Sequence, residues 1–186
     1  AYPPFPYIKL DSPVGSGDQG GYYPAAGDGI TKPRNYSIAN RTPANINFIV
    51  IHTTAGYSQK AGGEVFCKPP DPGADFGVST HYGVNTGGWV YMFVKEKDIA
   101  HGNGGSTSHG DPPRSQGNRR QFAGGQDKLQ EGMNTNGISI EITGMPEEEA
   151  NQPGKFYTQE AISNLALLVA NICKRNQISV DRTHIF

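Results

Sequence analysis

A run of apolar and β-branched residues at positions 48–51, followed directly by His52, constrains the fold of this chain more than any other segment. Such a run predicts a buried strand, placed here over residues 46–51. A histidine at the end of a buried strand is well placed for catalysis or metal binding, because the sheet holds its position and the following loop leaves it accessible. The alternative is a structural core histidine whose ring nitrogens bond to backbone or hydroxyl groups.

Further β segments are predicted along the chain. Residues 80–85 and 89–94 are β-prone and flank a short glycine-containing stretch, which is the pattern of a β-hairpin. Residues 137–142 alternate between apolar and polar side chains, which predicts a strand with Glu141 on the face opposite its isoleucines. His52 and Glu141 are therefore expected on neighbouring elements of one sheet.

Two helices are predicted between and after these strands. A short one covers residues 58–66 and stops before the prolines that follow. Thr158 is the predicted N-cap of a longer one that runs to about Asn176. Its predicted apolar stripe consists of Ile162, Leu165, Leu168, Val169 and Ile172. Strands interleaved with helices predict an α/β domain, with a mixed central β-sheet flanked by helices.

Length and composition bound the organisation of the chain. The 186 residues suffice for one well-buried core, and we expect an extended Pro/Gly-rich arm over residues 1–40 and a domain over residues 41–186. With 25 glycines, 14 prolines and only 18% charged residues, the composition fits an exported protein better than a cytosolic one. Residues 101–135 lack periodicity and are predicted to form a long loop, which in a compact domain is often functional.

Charge and cysteine usage exclude several function classes. The formal net charge of −1 provides no electrostatic footprint for a nucleic acid, and no apolar run approaches the ~20 residues of a membrane span. Cys67 and Cys173 lie far apart and in no CxxC pattern, which argues against a zinc knuckle or a thioredoxin-like site. They form either one disulfide or two buried thiols.

An imidazole and a carboxylate on adjacent strands suit metal-assisted hydrolysis. A metal lowers the pKa of its bound water toward ~7, and a carboxylate can take the proton as the water attacks. His52 and Glu141 are the candidates for these two roles.

Five colinear segments within residues 46–186 resemble the zinc-dependent N-acetylmuramoyl-L-alanine amidase family, which includes the peptidoglycan recognition proteins. The apolar strand ending in His-Thr-Thr resembles the family's first metal motif, and the Ile-Ser-Ile-Glu-Ile strand resembles its Ser-Ile-Gly-Ile-Glu strand. The other three matching segments are residues 78–84, 94–101 and 181–186. Five matches in the right order make a specific pattern, whereas one alone would be weak.

The resemblance implies a role for each matched residue. His52 would be the first Zn²⁺ ligand, and Glu141 would be the general base for attack on the amide between N-acetylmuramic acid and L-alanine of peptidoglycan. His81, Tyr82 and His101 would shape the site or the substrate groove. Thr53 and Thr54 would hydrogen-bond near the metal or the substrate, or complete the strand. Action in a cell wall or periplasm, after secretion, would follow.

The resemblance also implies that the chain is incomplete at its C-terminus. The second and third zinc ligands of the family would fall just beyond Phe186, and catalytic zinc takes three protein ligands. His184 is an alternative ligand. The alternative function is a non-catalytic peptidoglycan-binding module, and a third possibility is a structural or adhesion protein acting through the proline-rich arm.

Overall fold

The computed structural model describes residues 21–22, 35–54, 66, 77–103, 133–144 and 157–186. Its strands are β1 (Gly21–Tyr22), β2 (Tyr36–Ser37), β3 (Phe48–Thr53), β4 (Tyr82–Val84), β5 (Val90–Met92), β6 (Ile99–Ala100) and β7 (Gly137–Ile142). Its helices are a 3₁₀ turn (Pro43–Asn45), α1 (Met133–Asn136) and α2 (Gln159–Asn176). The presence of both strands and helices along the chain confirms the predicted α/β class.

The main sheet is mixed, with the strand order β1-β5-β4-β7-β3. The predicted hairpin is confirmed, since β4 and β5 pair antiparallel. β7 is an interior strand and pairs in parallel with both β4 and β3. A second sheet consists of β2 and β6.

The strand that carries His52 is shifted from its prediction. It was expected over residues 46–51 and instead begins at Phe48, because the 3₁₀ turn occupies the preceding residues and Ile46 caps it. It continues to Thr53 because its partner β7, observed with the predicted bounds, pairs with it along six residues.

The C-terminal residues extend the sheet beyond β3. Ile185 forms a parallel bridge with Ile49, and the Ile51 N–H donates to the Phe186 carbonyl oxygen at 2.8 Å. The last described residues therefore run alongside β3 in the direction of His52.

Helix α2 covers one face of the main sheet. Its predicted bounds are confirmed, and the Thr158 hydroxyl accepts a hydrogen bond from the Ala161 N–H at 3.1 Å. The predicted stripe is wrong at Ile162, which is 46% exposed. The buried face instead starts at Ala161, because positions spaced by three and four residues from it share one side of the helix. Its buried apolar residues are Ala161, Leu168, Val169, Ile172 and Cys173.

A polar cluster attaches the end of α2 to the loop after β5. The Glu96 carboxylate accepts hydrogen bonds from Arg175, from the Asn176 amide at 3.0 Å and from the Tyr82 hydroxyl at 2.8 Å. Burial by itself would raise the pKa of Glu96, but the hydrogen bond and charge of Arg175 hold it below its usual value. The carboxylate therefore stays ionised and anchors the helix.

Several predictions concern residues outside the described ranges. The short helix over residues 58–66 and nearly all of the long loop lie there, as does Cys67. Cys173 is a buried free thiol. Of the predicted arm, β1 pairs with β5 and β2 pairs with β6. Within the described ranges, no helix is long and apolar enough to cross a membrane.

Candidate active site

The register of two parallel strands places His52 directly beside Glu141. Residues at the same level of adjacent strands lie about 5 Å apart and direct their side chains to the same face. Both residues are half-buried. The predicted proximity of the imidazole and the carboxylate is therefore confirmed.

The pair lies on the sheet face opposite α2. The neighbouring residues Ile140 and Ile142 belong to the core under the helix, and alternation along β7 turns Glu141 to the other side. On the far side of Glu141 from His52, the paired residue of β4 is Gly83. Since glycine has no side chain, a ligand could approach the carboxylate closely at this position.

Burial raises the pKa of Glu141 above its usual value, and the nearby His52 only partly opposes this. A carboxylate is a better proton acceptor when its pKa lies closer to neutrality. The surroundings of Glu141 thus suit a general base.

The His52 ring is held by Asn103, which follows the short strand β6. His52 Nε2 lies 2.9 Å from Asn103 Oδ1. Asn103 is 5% exposed, and its Nδ2 group donates to the Met133 carbonyl oxygen at 2.8 Å. The backbone N–H of Asn103 donates to Asn134 Oδ1 at 2.9 Å.

His81 is fully buried behind this face, with both ring nitrogens engaged. Its Nδ1 accepts a hydrogen bond from the Ser139 N–H at 3.0 Å, so Nε2 carries the proton and donates to the Asp98 carbonyl oxygen at 3.1 Å. Burial, together with the adjacent Arg41, lowers the pKa of His81 to about 3. His81 is therefore a neutral histidine that supports the strand carrying Glu141.

His101 directly follows β6, and both of its ring nitrogens contact protein groups. Its Nδ1 is within 3.2 Å of the Gly77 carbonyl oxygen, and its Nε2 is 2.8 Å from the Ser37 hydroxyl. Because a carbonyl only accepts, Nδ1 carries the proton and Nε2 accepts from Ser37. The structure does not bring a ring nitrogen of His101 to the His52–Glu141 pair.

The other predicted site residues are distributed over both faces. Thr53 is turned to the face opposite His52 and its hydroxyl donates to the Gly144 carbonyl oxygen. The Thr54 N–H continues the pairing with β7 by donating to the Ile142 carbonyl oxygen at 3.0 Å. Tyr82 is buried under α2, where burial and Glu96 raise the pKa of its phenol.

The described residues supply part of a zinc site. His52 offers an imidazole at a strand end, but no group of three His, Cys, Asp or Glu side chains that could hold a metal ion occurs in the described ranges. His184 lies beside Phe48 in the strand register, four residues short of His52, and its Nδ1 is 2.7 Å from Asp181. A complete zinc site thus requires ligands other than the described residues.

Two residues important to this arrangement were not singled out from the sequence. Asn103 lies in a Gly/Ser-rich stretch, and Arg41 lies a few residues before the strand that carries His52. Neither residue belongs to a spaced motif, so no sequence signal distinguishes it from an exposed polar side chain.

A carboxylate beside an imidazole can serve general acid–base chemistry. The chain belongs to the N-acetylmuramoyl-L-alanine amidase family, since the model of that family matches residues 42–186. It is accordingly a peptidoglycan amidase. A comparison with curated proteins finds no match.

Solved amidase structures are similar to this chain at low sequence identity. N-acetylmuramoyl-L-alanine amidase LysC from Clostridium intestinale URNW is 14% identical, with a TM-score of 0.41, covering 80% of this chain and 74% of LysC. A selenomethionine derivative of AmpD is 18% identical, with a TM-score of 0.45 and coverages of 78% and 73%. The endolysin amidase LysCS from the same Clostridium is 13% identical, with a TM-score of 0.41 and coverages of 80% and 72%.

Proposed function

We propose that this chain hydrolyses the amide between N-acetylmuramic acid and L-alanine with Glu141 as general base and His52 as a zinc ligand. The observation that supports this most directly is the strand register, which sets the imidazole and the carboxylate side by side on one face of the sheet. The identity of the cleaved bond is inferred from the family to which the chain belongs.

In the proposed reaction, a water oxygen attacks the carbonyl carbon of the amide. Glu141 takes a proton from that water as the new C–O bond forms, and burial has already raised its pKa toward this task. The C–N bond then breaks, and Glu141 returns the proton to the departing nitrogen of L-alanine. The products are a lactyl carboxylic acid on the glycan and a peptide with a free α-amino group.

His52 would hold zinc together with ligands outside the described residues. Zinc, when bound, supplies Lewis acidity that polarises a carbonyl and acidifies water. Residues 184–186 pair with β3 and run in the direction of His52.

Site variants of the whole polypeptide test this assignment. Glu141→Gln should lower the release of new α-amino groups from purified peptidoglycan by about 10²- to 10⁴-fold, because general base catalysis contributes about that much. Zinc content should stay at the wild-type level in this variant. His52→Ala should lose both zinc and turnover.

His184→Ala is the matched control, because it removes an imidazole about 13 Å from His52, four strand residues away. This variant should retain zinc and activity. Wild-type activity in Glu141→Gln would assign the base to another residue.

A non-catalytic peptidoglycan-binding module is the second candidate function. The observation in its favour is that the described ranges contain no group of three His, Cys, Asp or Glu side chains that could hold a metal ion. A zinc-supplied wild-type protein that sediments with cell walls but releases no amino groups would establish it in place of the enzyme.

We further propose that the protein is secreted and acts in a cell wall or periplasm, where its substrate is found. The low charged fraction of 18% and the high glycine and proline content support export. Residues 1–40 are proposed to form an arm on a domain that spans residues 41–186.

A further inference from the structure

Asn103 is held in one orientation by its surroundings. Its Nδ2 group donates to the Met133 carbonyl oxygen at 2.8 Å, and its backbone N–H donates to Asn134 Oδ1 at 2.9 Å. A carbonyl oxygen only accepts hydrogen bonds, so the amide cannot be turned around without placing two acceptors against each other. The Oδ1 atom of Asn103 must therefore face His52.

This orientation determines which nitrogen of His52 carries the proton. Oδ1 is an acceptor 2.9 Å from Nε2, so Nε2–H is the donor. In a neutral imidazole the other nitrogen then bears the lone pair. Nδ1 of His52 is consequently the atom presented to a ligand.

The contacts of Asn103 join the two parts of the candidate site, which are the His52 ring and the segment that carries Glu141. Met133 and Asn134 belong to α1, which leads directly into β7 and Glu141. Gly102 allows the backbone before Asn103 to pass close to Ser79 and Ser139. A Cβ atom at Gly102 would lie 2.5 Å from both Ser139 Oγ and the Ser79 carbonyl oxygen. Asn103 thus connects the His52 ring to the segment that carries the carboxylate.

We propose that Asn103 is a positioning residue that holds the His52 imidazole with Nε2 protonated and Nδ1 available to the metal. The proposal rests on the proposed function in taking His52 as a metal ligand. Metal-binding histidines commonly donate their second ring N–H to an oxygen acceptor, and loss of that acceptor costs about 10- to 100-fold in metal affinity or activity.

Nitrogen NMR of the His52 ring in metal-free protein tests the proposal without any turnover. The spectra are recorded at the alkaline end of a pH series, where ring signals no longer change, and His52→Gln identifies the signals. Wild-type protein should show a protonated Nε2 with a slowly exchanging hydrogen and an unprotonated Nδ1. A protonated Nδ1 in wild type overturns the proposal, whether or not any variant folds.

Three variants separate positioning of the ring from simple support of the loop. Asn103→Leu should lose the Nε2–H signal and average the two nitrogen shifts, with zinc affinity and activity down about 10- to 100-fold. Asn103→Asp keeps an acceptor for Nε2–H and should restore the signal, although it loses the bond to Met133. Asn134→Ala removes only the bond to the Asn103 backbone and should leave the ring signals unchanged.

The outcomes separate this proposal from the proposed function. A fully active Asn103→Leu variant with an unchanged Nε2–H signal would overturn the positioning role while leaving the amidase intact. An inactive wild-type protein whose Nε2–H signal still depends on Asn103 would support the contact and contradict the enzymatic role.

Discussion

At the scale of single residues, the ring nitrogens of the histidines distinguish their roles. His81 and His101 each have both nitrogens engaged by protein groups, whereas the described contact of His52 engages Nε2. A histidine that shares both nitrogens with the protein has no lone pair for a metal. This separates the candidate ligand from the supporting histidines, which sequence position alone could not do.

His81 should make folding stability depend on pH. Its pKa is lowered to about 3 by burial and by Arg41, while the unfolded chain takes up that proton near pH 6.5. Between these values the unfolded state binds more protons, so the free energy of unfolding should fall as the pH falls, by up to about 1.4 kcal/mol per pH unit. Urea unfolding at pH 7, 6 and 5 measures this slope.

Glu96 also lies near the ring, and its lowered pKa confines its own loss of stability to more acidic solution. Glu141, whose pKa is raised by burial, acts on stability in the opposite direction, so the slope of the wild type is compared with that of a His81 variant. His81→Asn should be less stable at pH 7 but show a shallower slope. Parallel slopes in the variant and the wild type would refute the prediction.

Gly102 should tolerate no side chain. A Cβ atom would lie 2.5 Å from a backbone carbonyl oxygen and from Ser139 Oγ, so Gly102→Ala should lower the free energy of unfolding by about 1–3 kcal/mol. Gly87→Ala is the matched control in an exposed turn, where the nearest atom is a Trp89 side-chain carbon at 3.2 Å, and should cost less than about 0.5 kcal/mol. Equal effects in urea unfolding would contradict this reading of Gly102.

At the scale of elements, local sequence signals and observed structure agree most closely for α2 and β7. The bounds of both were predictable, because one has a capping residue and a helical period and the other has strict alternation. β3 was shifted by two residues, because the 3₁₀ turn and the pairing partner set its ends rather than its own side chains. Local pattern thus predicted the type of all three elements, whereas the bounds of β3 depended on its neighbours.

The Thr158 cap should contribute measurably to the stability of α2. Its hydroxyl accepts from the Ala161 N–H and donates to the Thr86 carbonyl oxygen in the hairpin turn. Thr158→Ala should lower the free energy of unfolding by about 1 kcal/mol, whereas Thr158→Ser retains the hydroxyl and should stay near wild type. If thermal unfolding finds the two variants equally destabilised, the loss of the capping hydroxyl is not the cause of the lower stability of Thr158→Ala.

At the scale of the whole molecule, Arg41 links segments that are distant in sequence. Its guanidinium donates to the carbonyl oxygens of Glu96, Asp98, Thr135 and Gly137. Burial lowers the pKa of Arg41 to about 10, so it remains charged at neutral pH. One side chain thus holds together the loops on both sides of the candidate site.

Arg41→Met should therefore destabilise the protein strongly. It leaves several buried carbonyl oxygens without a donor, which predicts a loss of about 3 kcal/mol or more in urea unfolding. Arg41→Lys keeps the charge but loses the planar fork of donors. Its free energy of unfolding should lie between those of the wild type and Arg41→Met. A loss below about 1 kcal/mol in Arg41→Met would show that these hydrogen bonds are individually dispensable.

The sequence by itself determined the α/β class, the strand with Glu141 and the helix with its cap, because these depend on periodicity and capping over short stretches. The tertiary structure alone decided that His52 stands level with Glu141, that Asn103 holds the His52 ring and that Arg41 joins the surrounding loops. These contacts join residues from 51 to 96 positions apart in sequence. Strand register and long-range hydrogen bonds arise from packing between distant segments, and no local pattern encodes them.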